Sequence, residues 1–264
     1  MSKKRKQLRK YVRDTKARTL RSEALVSKFV EWVDSMILSD LRGKIGNLST
    51  VTVSDIDRIF KGSEWNDYAR VLVSGRRRLL DELYKLYTAD MTQLKQIYGQ
   101  TGLTGTEIQN LMAPIAALSD AVIAEAIGLR DPLKAEVKAL RLAYMASQYT
   151  NSRSKIYNFL AGQLKPNRTI KTEFETATNS IYQLQREKYF DKVAVDGEKK
   201  YQYLGVSDSR VRVFCSHHLN KIRTKKGWLS ISNGQNGNAF RNRGGYNCRH
   251  IVVLWLPEFE EVAA

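Results

Sequence analysis

Two short segments, Cys215-Ser216-His217-His218 and Cys248-Arg249-His250, hold both cysteines and all three histidines of the chain. A thiolate and an imidazole from each would make the two-cysteine, two-histidine set that Zn²⁺ accepts in closed, tetrahedral structural sites. The spacing is not that of a zinc finger. The first segment offers either His217 or His218, and the two residues between Cys215 and His218 let that pair close a chelate more readily in a turn. The expected ligands are therefore Cys215, His218, Cys248 and His250, holding one structural zinc. The same residues admit two other states, a pair of buried thiols without metal and a disulfide; a reducing, cytosolic compartment would disfavour the disulfide.

A different chemistry uses the same neighbourhood. His217-His218-Leu219-Asn220, with Asn247 and His250, superficially resembles the parts of a His-Asn-His metal-dependent nuclease, in which one His is general base and the others hold a divalent cation on a phosphate. That site wants its last His on a helix, whereas Ile251-Val252-Val253-Leu254-Trp255 reads as a strand. A Cys-His hydrolase would need an oxyanion hole that nothing here supplies. No Gly-rich phosphate loop and no paired-carboxylate motif stands out. A plain nucleic-acid-binding adaptor is a further alternative.

The elements that must position these residues change character near residue 192. After it come short β-prone runs at Tyr201 to Val206, Val211 to Phe214 and Ile251 to Trp255, separated by Asn233-Gly234, Asn236-Gly237 and Gly244-Gly245, which permit positive φ. So small a region has little core of its own and wants a staple. Its interleaved rings Tyr201, Tyr203, Phe214, Trp228, Phe240 and Tyr246 read first as a miniature core. Its many basic residues would also suit DNA phosphates.

Before residue 192 the apolar residues recur every three or four positions. Val26, Val30, Val33, Ile37 and Leu41 form one helical stripe; Trp65, Ala69, Leu72, Leu79, Leu83, Tyr87, Leu94 and Tyr98 form a second, long enough for about nine turns. Ser54 with Asp57 resembles a capping box, Asp131-Pro132 opens a helix running to about Leu160, and Thr172 with Glu175 starts the last one. Gly99 to Gly105 and Gly162 to Asn167 read as linkers, and Pro114 should kink or interrupt its helix. The fold class expected is mainly α: a basic arm (1–21), a long-helix region (22–191) and a small, loop-rich α+β C-terminal domain (192–264).

Charge constrains the partner. The chain of 264 residues carries a net +17, with a pI near 9.8. Residues 1–21 hold ten basic side chains against the single acid Asp14. Such an arm is either a solvated tail or a phosphate-contacting element that binds DNA without reading its sequence, through Lys3, Lys4, Arg5, Lys6, Arg9, Lys10 and Arg13. No apolar stretch follows it to make a signal peptide, and none elsewhere reaches the length of a membrane span, so a soluble protein is expected.

The order of residues in the C-terminal part is itself informative: Gly205-Val206-Ser207-Asp208, then Arg212-Val213-Phe214-Cys215, then Gly244-Gly245-Tyr246-Asn247-Cys248-Arg249-His250. It resembles the C-terminal signature of phage head morphogenesis proteins, the Mu-F-like minor head proteins, over about 50 residues. The family's pattern differs at Val211, where Thr is common, and at Asn220, where it has Gly. What the resemblance implies is a non-enzymatic virion protein in few copies, assembled in the host cytoplasm and associated with portal or inner capsid. It would act in head assembly or genome delivery, with the basic arm beside packaged DNA. The long helical stripes leave room for a homo-oligomer.

Overall fold

The computed structural model describes residues 3–46, 55, 64–126, 158, 168–205, 207–209, 211–235, 237–245 and 248–259. The chain is mainly helical, with a small antiparallel sheet near its C-terminus. In order come α1 (Lys3–Gly46), α2 (Glu64–Tyr98), α3 (Gly105–Leu111), α4 (Ala113–Ala126), α5 (Arg168–Lys192), β1 (Lys200–Leu204), α6 (Val213–His218), β2 (Ile222–Thr224), α7 (Lys225–Leu229) and β3 (Ile251–Leu254). The readings at Ser54/Asp57, Asp131-Pro132 and Gly162 to Asn167 fall outside the described residues.

These elements form two compact units that interleave in sequence: 1–25, 81–115 and 172–264 in one, 26–80 and 116–171 in the other. The junctions expected at 21/22 and 191/192 are not the limits of these units. Composition marks where the chain changes character, and that is not where distant segments pack together.

In the first unit the basic segment is the beginning of α1, with Leu8, Tyr11, Thr15 and Arg18 buried along one side. Leu83, Tyr87, Leu94 and Ile97 of α2 and Phe174, Tyr182, Tyr189 and Phe190 of α5 are buried in the same unit. A buried polar knot joins the three helices. Asp90 of α2 accepts from Arg18 (2.8 Å), Arg186 (3.2 Å) and the Tyr11 hydroxyl (3.1 Å), while Arg186 Nε donates to Tyr11 at 2.7 Å. Thr104 and Glu107 form a reciprocal capping box at the start of α3, a cap that the Gly99 to Gly105 linker reading does not anticipate. As expected, the helical run breaks beside Pro114: α3 ends at Leu111 and α4 begins at Ala113. The last helix starts at Arg168, ahead of the Thr172/Glu175 pair, whose cap-like pattern therefore lies inside it.

The second unit is built on the expected stripes, with Val26, Val30 and Val33 of α1 and Leu72 and Leu79 of α2 buried. Gly75 lets the α2 backbone press on the indole of Trp32, where any Cβ would overlap the ring. Arg76 reaches Asp120 at 2.7 Å and Ser119 at 3.1 Å.

The sheet, in the first unit, has the order β2-β1-β3, with both pairings antiparallel and Gln202 facing Ile222 on one side and Val253 on the other. Gln183 of α5 covers the outer edge of β3, its side-chain amide donating to Val252 O (3.3 Å) and accepting from Val252 N (3.4 Å). That satisfies backbone groups which an edge strand leaves open. The first and third β-prone runs are strands. Val211 to Phe214 is not: the chain is extended at Arg212 and turns into α6, which leaves Val213 86% exposed and points Cys215 and His218 inward. No helix among the described residues is long and apolar enough to cross a membrane.

Candidate metal centre

Cys215, Cys248 and His250 come together although α6 and the segment before β3 lie more than thirty residues apart. Their ligand atoms all fall within 4.8 Å of one another, and all three side chains are buried. Cys215 stands on the inner side of α6; Cys248 and His250 lie on the segment that leads into β3. The sulfurs are 3.7 Å apart, and Cys248 Sγ is 3.7 Å from His250 Nδ1.

These separations exclude a disulfide and fit either two thiols in contact or two thiolates on one ion. A disulfide holds its sulfurs about 2.05 Å apart; both cysteines here are free. A tetrahedral zinc with Zn–S of about 2.3 Å and Zn–N of about 2.0–2.1 Å separates its ligands by about 3.8 Å (S to S) and about 3.6 Å (S to N). Those two edges are close to the lengths that tetrahedron requires, and Cys215 and His250 lie within 4.8 Å, so the residues could hold a Zn²⁺-like ion.

The backbone is shaped around the same point. A Cβ on Gly244 would overlap Cys215 Sγ and stand 3.3 Å from Cys248 Sγ, and one on Gly205 would overlap the His250 imidazole. Gly244 N donates to Cys248 Sγ at 3.2 Å. Of the Asn-Gly and Gly-Gly pairs, Gly234, Gly237 and Gly245 have positive φ, as expected, whereas Gly244 serves close approach. Asn220, where the resembled pattern carries Gly, has φ 64°, a conformation that Asn tolerates better than most side chains.

His218 does not join the group of three. Its ring packs against Phe214 (4.5 Å between centroids), His217 (4.9 Å) and Trp228 (5.6 Å), and its Nδ1 is buried without a hydrogen-bond partner. Burial, with the charges of His217, Lys221 and Arg223 nearby, lowers its pKa and keeps it neutral. The turn geometry that favours a Cys215–His218 chelate is thus overridden by the aromatic core. His217 is exposed, its Nε2 3.1 Å from Lys221 Nζ.

Two residues without a local motif border the site instead. Tyr203 of β1 places its hydroxyl 3.4 Å from Cys215 Sγ and 3.6 Å from Cys248 Sγ, and its ring stacks on His250. Arg243, next to Gly244, is 3% exposed, with φ 49°, and burial lowers its pKa. The hydrogen bond between the two sulfurs splits them: it pushes the Cys215 thiol up and holds Cys248 well below the usual cysteine value, aided by His250 and Arg243.

No family model, curated protein or solved structure matches the chain.

The segments that carry the resemblance to minor head proteins do hold one another. Arg249 makes a two-pronged pair with Asp208, both contacts at 2.8 Å, and Arg212 donates to Gly244 O at 2.6 Å. With Cys215 against Cys248, these are three cross-links between 208–215 and 244–249. Of the rings near the site, Tyr201, Tyr203, Trp228 and Phe240 are each at most 1% exposed, and the Trp228 indole donates to Tyr201 O at 2.8 Å. They are core, not platforms for bases.

The residues expected to meet nucleic acid divide by helix face. Lys3, Lys6, Arg9, Lys10 and Arg13 are exposed; Lys4, also exposed, pairs with Glu258 at 3.2 Å, and Arg5 is half-buried. At 100° per residue the first five span about 120° of α1, opposite the buried face of Leu8, Tyr11 and Thr15.

Proposed function

We propose that this chain is a structural minor head protein of a tailed phage, attached to portal or capsid, whose C-terminal sheet is stapled by one zinc and whose α1 meets packaged DNA. The observation that carries this reading is the mutual pairing of the signature residues. Asp208 with Arg249, Arg212 with the Gly244 carbonyl and Cys215 with Cys248 use the motif to tie loops together. A motif whose residues cross-link one another acts as a staple.

Burial supports a structural role over a nuclease. Cys215, Cys248 and His250 are 2%, 6% and 4% exposed, and a metal that attacks a phosphodiester must be open to it. His250 also leads straight into β3 rather than a helix. In this reading the zinc gives folding energy to a small region and supplies no chemistry to a substrate.

The test is fractionation of DNA-filled heads from the phage that encodes the chain, probed with an antibody to it. The chain is expected in few copies per purified head, together with portal and capsid proteins. Its absence from heads, or plasmid nicking by the pure protein with Mg²⁺ or Mn²⁺, would overturn the assignment.

A further inference from the structure

The three ligands leave a tetrahedral ion one position short, and His218 is not placed to fill it. The Tyr203 hydroxyl is. An oxygen at about 2.0–2.2 Å from zinc lies about 3.5–3.6 Å from each sulfur ligand of the same tetrahedron. Tyr203 Oη is 3.4 Å from Cys215 Sγ and 3.6 Å from Cys248 Sγ. Together with the sulfur–sulfur and sulfur–nitrogen edges, both 3.7 Å, four separations agree with one tetrahedron.

Charge points the same way. Zn²⁺ with two thiolates and a neutral imidazole has no net charge, which would leave the Arg243 guanidinium buried beside a neutral complex. A buried cation is costly without an anionic partner. A phenolate would bring the complex to −1 and give the buried Arg243 an anionic neighbour. The ring is also held in place, fully buried on the central strand β1, stacked on His250 at 5.4 Å and against Trp228 at 5.6 Å.

We propose that Tyr203 is the fourth ligand, so that two cysteines, one histidine and one tyrosine hold the ion in place of two cysteines and two histidines. The inference rests on the metal-staple reading above. On binding, the Tyr203 phenol and whichever thiols are protonated release their protons to solvent, and oxygen and sulfur lone pairs form the bonds to the ion. The other consequence is selectivity. A phenolate oxygen among the sulfurs makes the site harder than a thiolate-rich one, favouring Zn²⁺ or Co²⁺ over Cu⁺.

The test titrates Zn²⁺ or Co²⁺ into the metal-free full chain while following ultraviolet tyrosinate absorption and the visible cobalt bands. The wild type should gain one tyrosinate per ion bound together with tetrahedral cobalt bands. Tyr203→Phe, which keeps the ring and its packing, should still bind cobalt through sulfur but without the tyrosinate signal. Its affinity should fall by more than the roughly 10–100-fold that loss of an outer-shell partner causes. His218→Gln should leave both signals intact. Metal binding without a tyrosinate signal, or loss of the cobalt bands in His218→Gln alone, overturns the Tyr203 assignment and leaves the staple standing. No stoichiometric binding by the folded wild type overturns both.

Discussion

Gly244 shows how a single hydrogen atom in place of a methyl group decides whether the centre forms. Its Cα lies so close to the cysteines that an added Cβ would occupy the space of Cys215 Sγ. Backbone and sulfur cannot both hold position, so Gly244→Ala is expected to abolish stoichiometric zinc binding and expose the C-terminal region to protease, as Cys215→Ser should. Gly43→Ala is the matched control. Nothing lies within 4 Å of its Cβ, and in the last turn of α1 the change should stabilise by under about 1 kcal/mol without touching the metal. Metal analysis with limited proteolysis checks the pair; a Gly244→Ala protein that keeps one zinc would show that the backbone yields here.

At this scale the sequence discloses three of the four residues assigned to the site. Cys215, Cys248 and His250 stand out because rare residue types cluster, and that signal survives folding. Tyr203 has no such mark. It is one of 13 tyrosines, placed by the register of β1, with Tyr203 opposite Val252, and register is a property of the pairing rather than of any local pattern. His218 has an attractive chelate spacing, but a short helix that must also bury an imidazole against Phe214 and Trp228 turns it elsewhere.

At the scale of elements, the helices α1, α2 and α5 are held in register by ion pairing as well as apolar contact. Asp90 is fully buried between Arg18 and Arg186. Asp90→Ala would leave two guanidinium groups without their carboxylate, a loss that typically costs about 3–5 kcal/mol. The urea midpoint should fall accordingly, whereas Glu82→Gln, which removes a surface partner of Lys85 and Arg21, should move it far less. Equal small losses in the two variants would mean that the knot is replaceable by packing alone. The helices themselves are readable from apolar periodicity, since Val26, Val30, Val33, Leu72, Leu79 and Leu83 are buried as their spacing requires. Val211 to Phe214 misleads for the converse reason. Its β-branched and aromatic residues favour a strand, but Arg212 is drawn to the Gly244 carbonyl and the next residues coil to bring Cys215 inward.

For the whole molecule, the net charge of +17 matters through its distribution. A solvated arm and a helix with one face packed into the protein both read as basic, and only the structure tells them apart. Because Lys3, Lys6, Arg9, Lys10 and Arg13 project from a helix anchored by Leu8, Tyr11 and Thr15, they form a rigid ridge about 15 Å long. Each phosphate that a basic side chain neutralises on duplex DNA contributes about 0.9 to the slope of log affinity against log salt. Changing all five to Gln should therefore lower that slope by up to about 4–5, equally for unrelated sequences, since phosphates carry no base identity. The change should leave thermal stability nearly untouched, because substitutions at exposed positions typically cost under about 0.5 kcal/mol. Lys4→Gln, which removes the partner of Glu258, serves as the comparison and should alter the slope far less. Fluorescence anisotropy on two unrelated duplexes across a salt series reads the slope, and a thermal melt reads the stability. An unchanged slope in the five-fold variant would move the DNA contact off α1, and a sequence-dependent one would replace a phosphate ridge with base recognition.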